Sequence, residues 1–346
     1  MIKKMQKILM AIAFSFLSFL SFSATTTTAN AACSVHIGDF DWDSANIHTA
    51  IGSFILEHGY GCDVEVTKGS TNPILAALID NQIDVIFEHW TDNNVALIDP
   101  ELESGNLVFL GVNTPASEQA FFVDRATSEA HGITSVEDLK KPGIKDLFTD
   151  PENPSKGRLT SCISGWTCYT INLVKLKEYG LDEMYTNFDP GSGGALDAAI
   201  AGGFAKGKPV FSYYWTPTSL MGKPDIDMVR LSEPAYDADC WGAMSVVVED
   251  IKANGQEAYK PSCACEYKDM ALTKMSTTKW ADANPDINDM LKKYALPTPK
   301  VNEMLAYYVD ESGGDMEATA MHFLSSESVW ESWVSADVAA KIKSAL

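Results

Sequence analysis

A chain of 346 residues carrying a formal charge of −21 repels nucleic acid and anionic lipid surfaces, so neither is an expected partner. Its length exceeds what one hydrophobic core usually serves and points to two lobes. All seven cysteines lie beyond residue 31, which suits an oxidising compartment where disulfides persist.

Residues 1–31 read as a secretory signal. Lys3, Lys4 and Lys7 form the charged start, Ile8–Phe22 the apolar centre, and Ala29-Asn30-Ala31 a small-residue cleavage site. Cleavage removes three lysines and takes the charge from −21 to −24. Asn30 stands where a lipidated cysteine wants an aliphatic neighbour, so Cys33 is not read as a lipid anchor. No later stretch is apolar enough to span a bilayer.

Ser34–Phe40 is the first predicted strand, and Asp39–Ser44 turns it into a helix capped by Asp43 or Ser44. Ile47, Ala50, Ile51, Phe54 and Ile55 give that helix its apolar face, and Gly59 ends it. A strand at Asp63–Val66, a helix opening with Pro73 and an apolar run Asp84–Phe87 follow, the last ending at Trp90-Thr91. Within that run a period of two puts Glu88 on the same side as Trp90. Leu107–Val112 and Gln119–Val123 are expected as strands flanking a loop, Asn113–Glu118, where the chain first crosses between lobes.

The same order then recurs. Arg158–Ser161 opens a second unit, Trp166 precedes a helical pattern (Ile171, Val174, Leu176), and Gly180 ends it. A short segment reaches Gly191-Ser192, a helix carries Leu196, Ala199 and Ile200, and Pro209–Tyr214 runs into Trp215-Thr216. Trp42 and Trp90 are 48 positions apart, Trp166 and Trp215 are 49 apart. Four tryptophans at matching stations of two strand–helix–strand–helix–strand units argue for an internal repeat. Alternating strands and helices imply parallel sheets, whose ligands bind beyond the carboxyl ends of the strands. Each lobe therefore offers two indoles at its mouth. Trp241–Val248 is expected to return the chain to the first lobe, and the pattern is helical from Thr273 onward, broken at Pro285, Pro297, Pro299 and Gly313-Gly314. Trp280, Trp330 and Trp333 are assigned to packing, while Trp241 is left between cleft edge and brace.

Cys33 and Cys62 each precede a predicted strand and are paired on that ground. Cys162 and Cys168 close a small loop around Trp166, and Cys240 pairs with Cys263 or Cys265, leaving one thiol. Cys263-Ala-Cys265 lacks the further ligands a metal site needs, so neither metal nor cofactor is expected.

A cluster of Trp faces attracts a desolvated cation, and quaternary ammonium groups suit it best because they offer no strong hydrogen-bond donor to a polar pocket. Each face contributes about 0.5–2 kcal/mol. Micromolar binding needs roughly 8 kcal/mol, so shape and a few polar contacts must supply the rest. An exported hydrolase or thiol enzyme is the rival reading. The chain has no Gly-x-Ser-x-Gly elbow, no His-Glu-x-x-His and no Cys-x-x-Cys, and it is not expected to be an enzyme.

Asp-Trp-Asp-Ser at 41–44, Glu-His-Trp-Thr-Asp-Asn at 88–93, the Cys162–Cys168 loop and Tyr-Tyr-Trp-Thr-Pro at 213–217 resemble the substrate-binding proteins of glycine betaine, choline and related ABC importers, most of all those for trimethylamine N-oxide. The resemblance covers nearly the whole mature chain. It implies an α/β, type II-like periplasmic binding protein fold with two lobes, here residues 32–118 with 244–346 and residues 119–243. It further implies a periplasmic monomer that closes on a small methylated amine and delivers it to an ABC permease in the inner membrane. Trp42, Trp90, Trp166 and Trp215 match the cage positions, with Glu118 in the crossing loop as a polar partner. Trimethylamine N-oxide is the favoured ligand, because an N-oxide tolerates an acidic neighbour such as Glu88 or Glu118 better than a carboxylate does. Glycine betaine, choline and dimethylsulfoniopropionate are the alternatives, and His89 keeps a carboxylate in play.

Overall fold

The two halves of the sheet repeat one topology. The structure, a computed structural model, describes residues 33–221 and 223–346, and the expected export signal over 1–31 lies outside them. In the first half β1 (Cys33–Phe40) lies between β2 (Cys62–Gly69) and β3 (Val85–His89), parallel to both. In the second half β5 (Gly157–Thr160) lies between β6 (Tyr185–Phe188) and β7 (Phe211–Thr216), again parallel to both. Helices Asp43–Phe54 and Thr71–Ile79 connect the first trio, and Thr167–Glu178 and Gly193–Ala205 connect the second. Parallel neighbours need such crossovers, so the sequence repeat and the sheet repeat are one constraint. Cys33 and Cys62 are register partners at the start of β1 and β2, and their disulfide ties that edge together. Cys162–Cys168 and Cys240–Cys263 are also bridged, and Cys265 keeps a buried free thiol.

The expected loop at Asn113–Glu118 is a strand. A single strand, β4 (Leu107–Asp124), pairs antiparallel with β9 (Met270–Thr277) along its first part and with β7 along its last. Short β8 (Met228–Arg230) pairs with its far end. Asn113, Thr114, Pro115 and Ser117 look like loop chemistry, yet each polar side chain has an internal partner. Asn113 donates to the Phe87 carbonyl at 2.7 Å, Thr114 meets His48 Nε2 at 3.2 Å, and Ser117 donates to the Met270 carbonyl at 2.7 Å. Register shifts between Phe109 and Ser117 give Pro115, which has no N–H, a place beside the ladder.

Trp241–Val248, expected to carry the chain back, is inside a helix, Ala238–Asn254, and β9 makes the return pairing with β3 and β4 instead. After β9 the chain is helical, with breaks close to the expected prolines and glycines. These C-terminal helices cover the first trio of strands. Trp280, Trp330 and Trp333 sit there in a core with Ile37, Val85 and Phe87, as assigned. Among the described residues no helix is long and apolar enough to cross a membrane.

Gly52 in helix Asp43–Phe54 sets how closely that helix lies on β3. A Cβ at this position would stand 2.2 Å from the ring of buried Phe87. Alanine is the better helix former by about 1 kcal/mol, but overpacking a filled core costs about 1–3 kcal/mol. Gly52→Ala is therefore expected to lower the urea midpoint, and a rise would show that the helix is free to lift from the strand.

Candidate functional site

The turn from β1 into its helix aims Trp42 by backbone conformation. Trp42 takes the N-cap position, where Asp43 or Ser44 was expected, with extended φ −139° and ψ 153°. Trp166 holds the same position before Thr167–Glu178, with φ −88° and ψ 142°. Trp90 follows the last residue of β3, and Trp215 is the penultimate residue of β7. The matching stations thus have a structural meaning: each unit presents one indole from a helix start and one from a strand end.

All four indoles line one pocket and are each less than a tenth exposed. Trp42 and Trp166 meet edge to face with centroids 5.2 Å apart, and Trp166 meets Trp215 the same way at 5.4 Å. Phe40 stacks on Trp42 at 4.6 Å and Tyr213 on Trp215 at 6.2 Å, so each of these indoles rests against a second ring. Phe40 and Tyr213 line the pocket too, and sequence reasoning passed over both. Each lies two residues before a pocket tryptophan, and Tyr213 shares a face of β7 with Trp215, a signal that was available in the sequence.

Glu88 sets the orientation of the first pair. Its Oε1 accepts from Trp42 Nε1 at 2.7 Å, Trp90 Nε1 at 3.1 Å and Ser44 Oγ at 3.1 Å. Burial pushes this carboxyl up to about 7, against the lowering effect of those three donors. His48, whose Nε2 stands 3.9 Å from Glu88 Oε2, is held down at about 3 by its own burial, so it is neutral and no ion pair forms. Asp41 accepts from Trp166 Nε1 and so ties an indole of the second unit to the first.

Further bonds join the two halves around the pocket. Thr167 Oγ1 donates to Asn94 Oδ1 at 2.7 Å, and the Asn72 N–H donates to the Gly165 carbonyl at 3.2 Å. Gly165 has φ +96°, and a Cβ there would stand 2.7 Å from Ser70 Oγ, so glycine is needed for both conformation and approach. Trp241, left open from sequence, braces the helix Ala238–Asn254 by donating to the Asp92 carbonyl at 2.6 Å. Glu118 is not brought to the pocket. Its carboxylate accepts from Arg230 Nη1 at 2.9 Å, a guanidinium that also meets Asp269 and Glu266.

A family model described as the substrate binding domain of the ABC-type glycine betaine transport system matches residues 34–326. The chain belongs to this family. Among curated relatives, the glycine betaine/proline betaine-binding periplasmic protein of Escherichia coli is 27% identical over 67% of this chain and 68% of its own. The trimethylamine N-oxide-binding protein of Pelagibacter ubique is 22% identical over 68% of this chain and 74% of its own. Among solved structures, the glycine betaine/L-proline-binding protein of Borrelia burgdorferi superposes with a TM-score of 0.68 at 16% identity, covering 89% of this chain and 99% of that one. The fold is accordingly that of the two-lobed periplasmic binding proteins, and the pocket of this glycine betaine family member lies between two matched units of its sheet.

The raised Glu88 carboxyl carries a pH signature. Between about 4.5 and 7 the folded protein holds this proton while the unfolded chain has released it, so stability falls as pH rises through that window. Glu88→Gln keeps an acceptor oxygen for both indoles and removes the charge. Denaturant midpoints are expected to drop less between pH 5 and pH 8 in this variant than in the wild type. An unchanged pH dependence would show that Glu88 does not titrate in that range.

Proposed function

We propose that the protein is an extracytoplasmic solute-binding protein that captures a small methylated-ammonium osmolyte between Trp42, Trp90, Trp166 and Trp215, and hands it to an ABC permease. The observation that carries this reading is the convergence of the four indoles, two from each unit, on one pocket backed by a buried carboxyl. Indole faces stabilise a methylated cation through the ring quadrupole, and the dry surroundings strengthen that attraction. Each lobe alone offers half of the cage, so ligand favours the closed arrangement in proportion to its extra affinity for it. Cross-lobe bonds such as Thr167 to Asn94 then add to closure. The export signal expected over residues 1–31 and the periplasmic relatives support a periplasmic location.

Trimethylamine N-oxide is the favoured ligand. Glu88 stands directly behind two of the rings, and its second oxygen, Oε2, has no hydrogen-bond partner among the described residues. An N-oxide oxygen is a stronger proton acceptor than a betaine carboxylate, and so suits a neighbouring carboxyl that burial keeps protonated up to about 7. Glycine betaine is the second reading, favoured by the 27% identity to the Escherichia coli relative. Choline and dimethylsulfoniopropionate follow.

Calorimetric titration with the four ligands tests the order, with the N-oxide expected to bind most tightly. No heat from the N-oxide beside strong heat from glycine betaine would reverse it. Trp166→Ala is expected to weaken binding at least about tenfold, since it removes a ring face and the Asp41 tie. Trp330→Ala, in the core of the first half, is expected to lower stability and leave affinity unchanged. Equal loss of affinity in both variants would contradict the cage.

A further inference from the structure

Behind the rings, one buried imidazole is left with an unused hydrogen-bonding atom. His89 lines the pocket at the end of β3 and is 1% exposed. Its Nε2 lies 3.3 Å from Asn94 Nδ2. The Trp90 carbonyl, an acceptor only, sets the orientation of that amide: Nδ2 meets it at 3.3 Å, and Oδ1 then accepts from Thr167 Oγ1. Nε2 of His89 is therefore an acceptor. A neutral imidazole has one N–H, so it sits on Nδ1, and Nδ1 has no hydrogen-bond partner among the described residues.

Building on the osmolyte reading above, we propose that His89 is a specificity-determining residue whose Nδ1–H donates to an acceptor oxygen on the bound ligand, selecting zwitterionic methylated amines over plain tetraalkylammonium ions. A buried donor without a partner is destabilising, and an N-oxide or carboxylate oxygen relieves that, whereas a methyl group in the same place leaves it unmet. Burial holds the imidazole at about 3, with Lys252 adding in the same direction, so at neutral pH it offers one N–H and no positive charge against the ligand's ammonium. Thr167 of the second unit donates to Asn94 Oδ1, the other end of the amide whose Nδ2 meets His89, so the network behind the donor spans both units. The polar role expected of Glu118, which Arg230 holds elsewhere, passes to His89.

The test compares trimethylamine N-oxide with tetramethylammonium, which has the same shape and charge-bearing methyl groups but no oxygen. For His89→Phe, N-oxide affinity is expected to fall about tenfold or more while tetramethylammonium affinity stays within about twofold. His89→Asn, which returns an N–H near the Nδ1 position, is expected to recover part of the loss. Equal loss for both ligands would reduce His89 to a brace for the rings and overturn the proposal. If the variants fail to fold, nitrogen-15 NMR of the wild-type imidazoles decides. The His89 Nδ1–H resonance should move downfield with the N-oxide and not with tetramethylammonium, and a protonated Nε2 would overturn the assignment. Binding of tetramethylammonium without the N-oxide defeats the His89 proposal alone, whereas binding of neither defeats the osmolyte reading with it.

Discussion

One carboxyl oxygen holds the first half of the pocket in shape. Glu88 Oε1 accepts from two indoles, one at a helix N-cap and one just past the end of β3, and from a serine at the helix start. Taking a carboxyl out of water is costly, and here three donors offset part of that cost. The arrangement has a geometric consequence: two large rings share one anchor point, so neither can rotate without losing its bond. A cage of aromatic faces works only when the faces are held apart at a fixed spacing, because otherwise the rings collapse onto one another. Phe40 and Tyr213 serve the same end by stacking on Trp42 and Trp215.

The anchor acts through a repeated piece of backbone. In both units the first indole stands at a helix N-cap and the second at the end of the third strand, around a central strand parallel to two neighbours. The two units differ in how the first indole is held. Trp42 is tied within its own half to Glu88, whereas Trp166 is tied across to Asp41. Trp42 is thus held within one half, the half that carries the C-terminal helices and the Trp280, Trp330 and Trp333 core, and Trp166 depends on a bond between halves.

Much of this was legible in the sequence, because large aromatic residues at fixed stations and hydrophobic periodicity are local signals. The repeat, the four indoles, the disulfides at Cys33–Cys62 and Cys162–Cys168 and the C-terminal helices follow from such signals. What was not legible depends on partners distant in the chain. Asn113–Ser117 has loop composition and forms strand only because Phe87, His48 and Met270 supply hydrogen bonds from elsewhere. Trp241–Val248 is apolar enough for a strand, and packing decides for helix. Glu118 is drawn to Arg230, which lies 112 positions away, and no local pattern encodes that pairing.

The polar chemistry of the pocket follows from the same distinction between local and distant partners. Glu88 and His89 are neighbours at the end of β3 and meet different partners. One holds two indole N–H groups, and the other belongs to the Asn94–Thr167 network that spans the halves. Burial acts on both in the same physical sense, against charge, and pushes their proton affinities in opposite directions. The carboxyl retains its proton further up the pH scale, and the imidazole refuses one until far below neutrality. On the proposed function, the positive charge of a methylated cation between the rings favours ionisation of Glu88 and disfavours protonation of His89, so one buried strand end couples the charge of the site to that of its ligand.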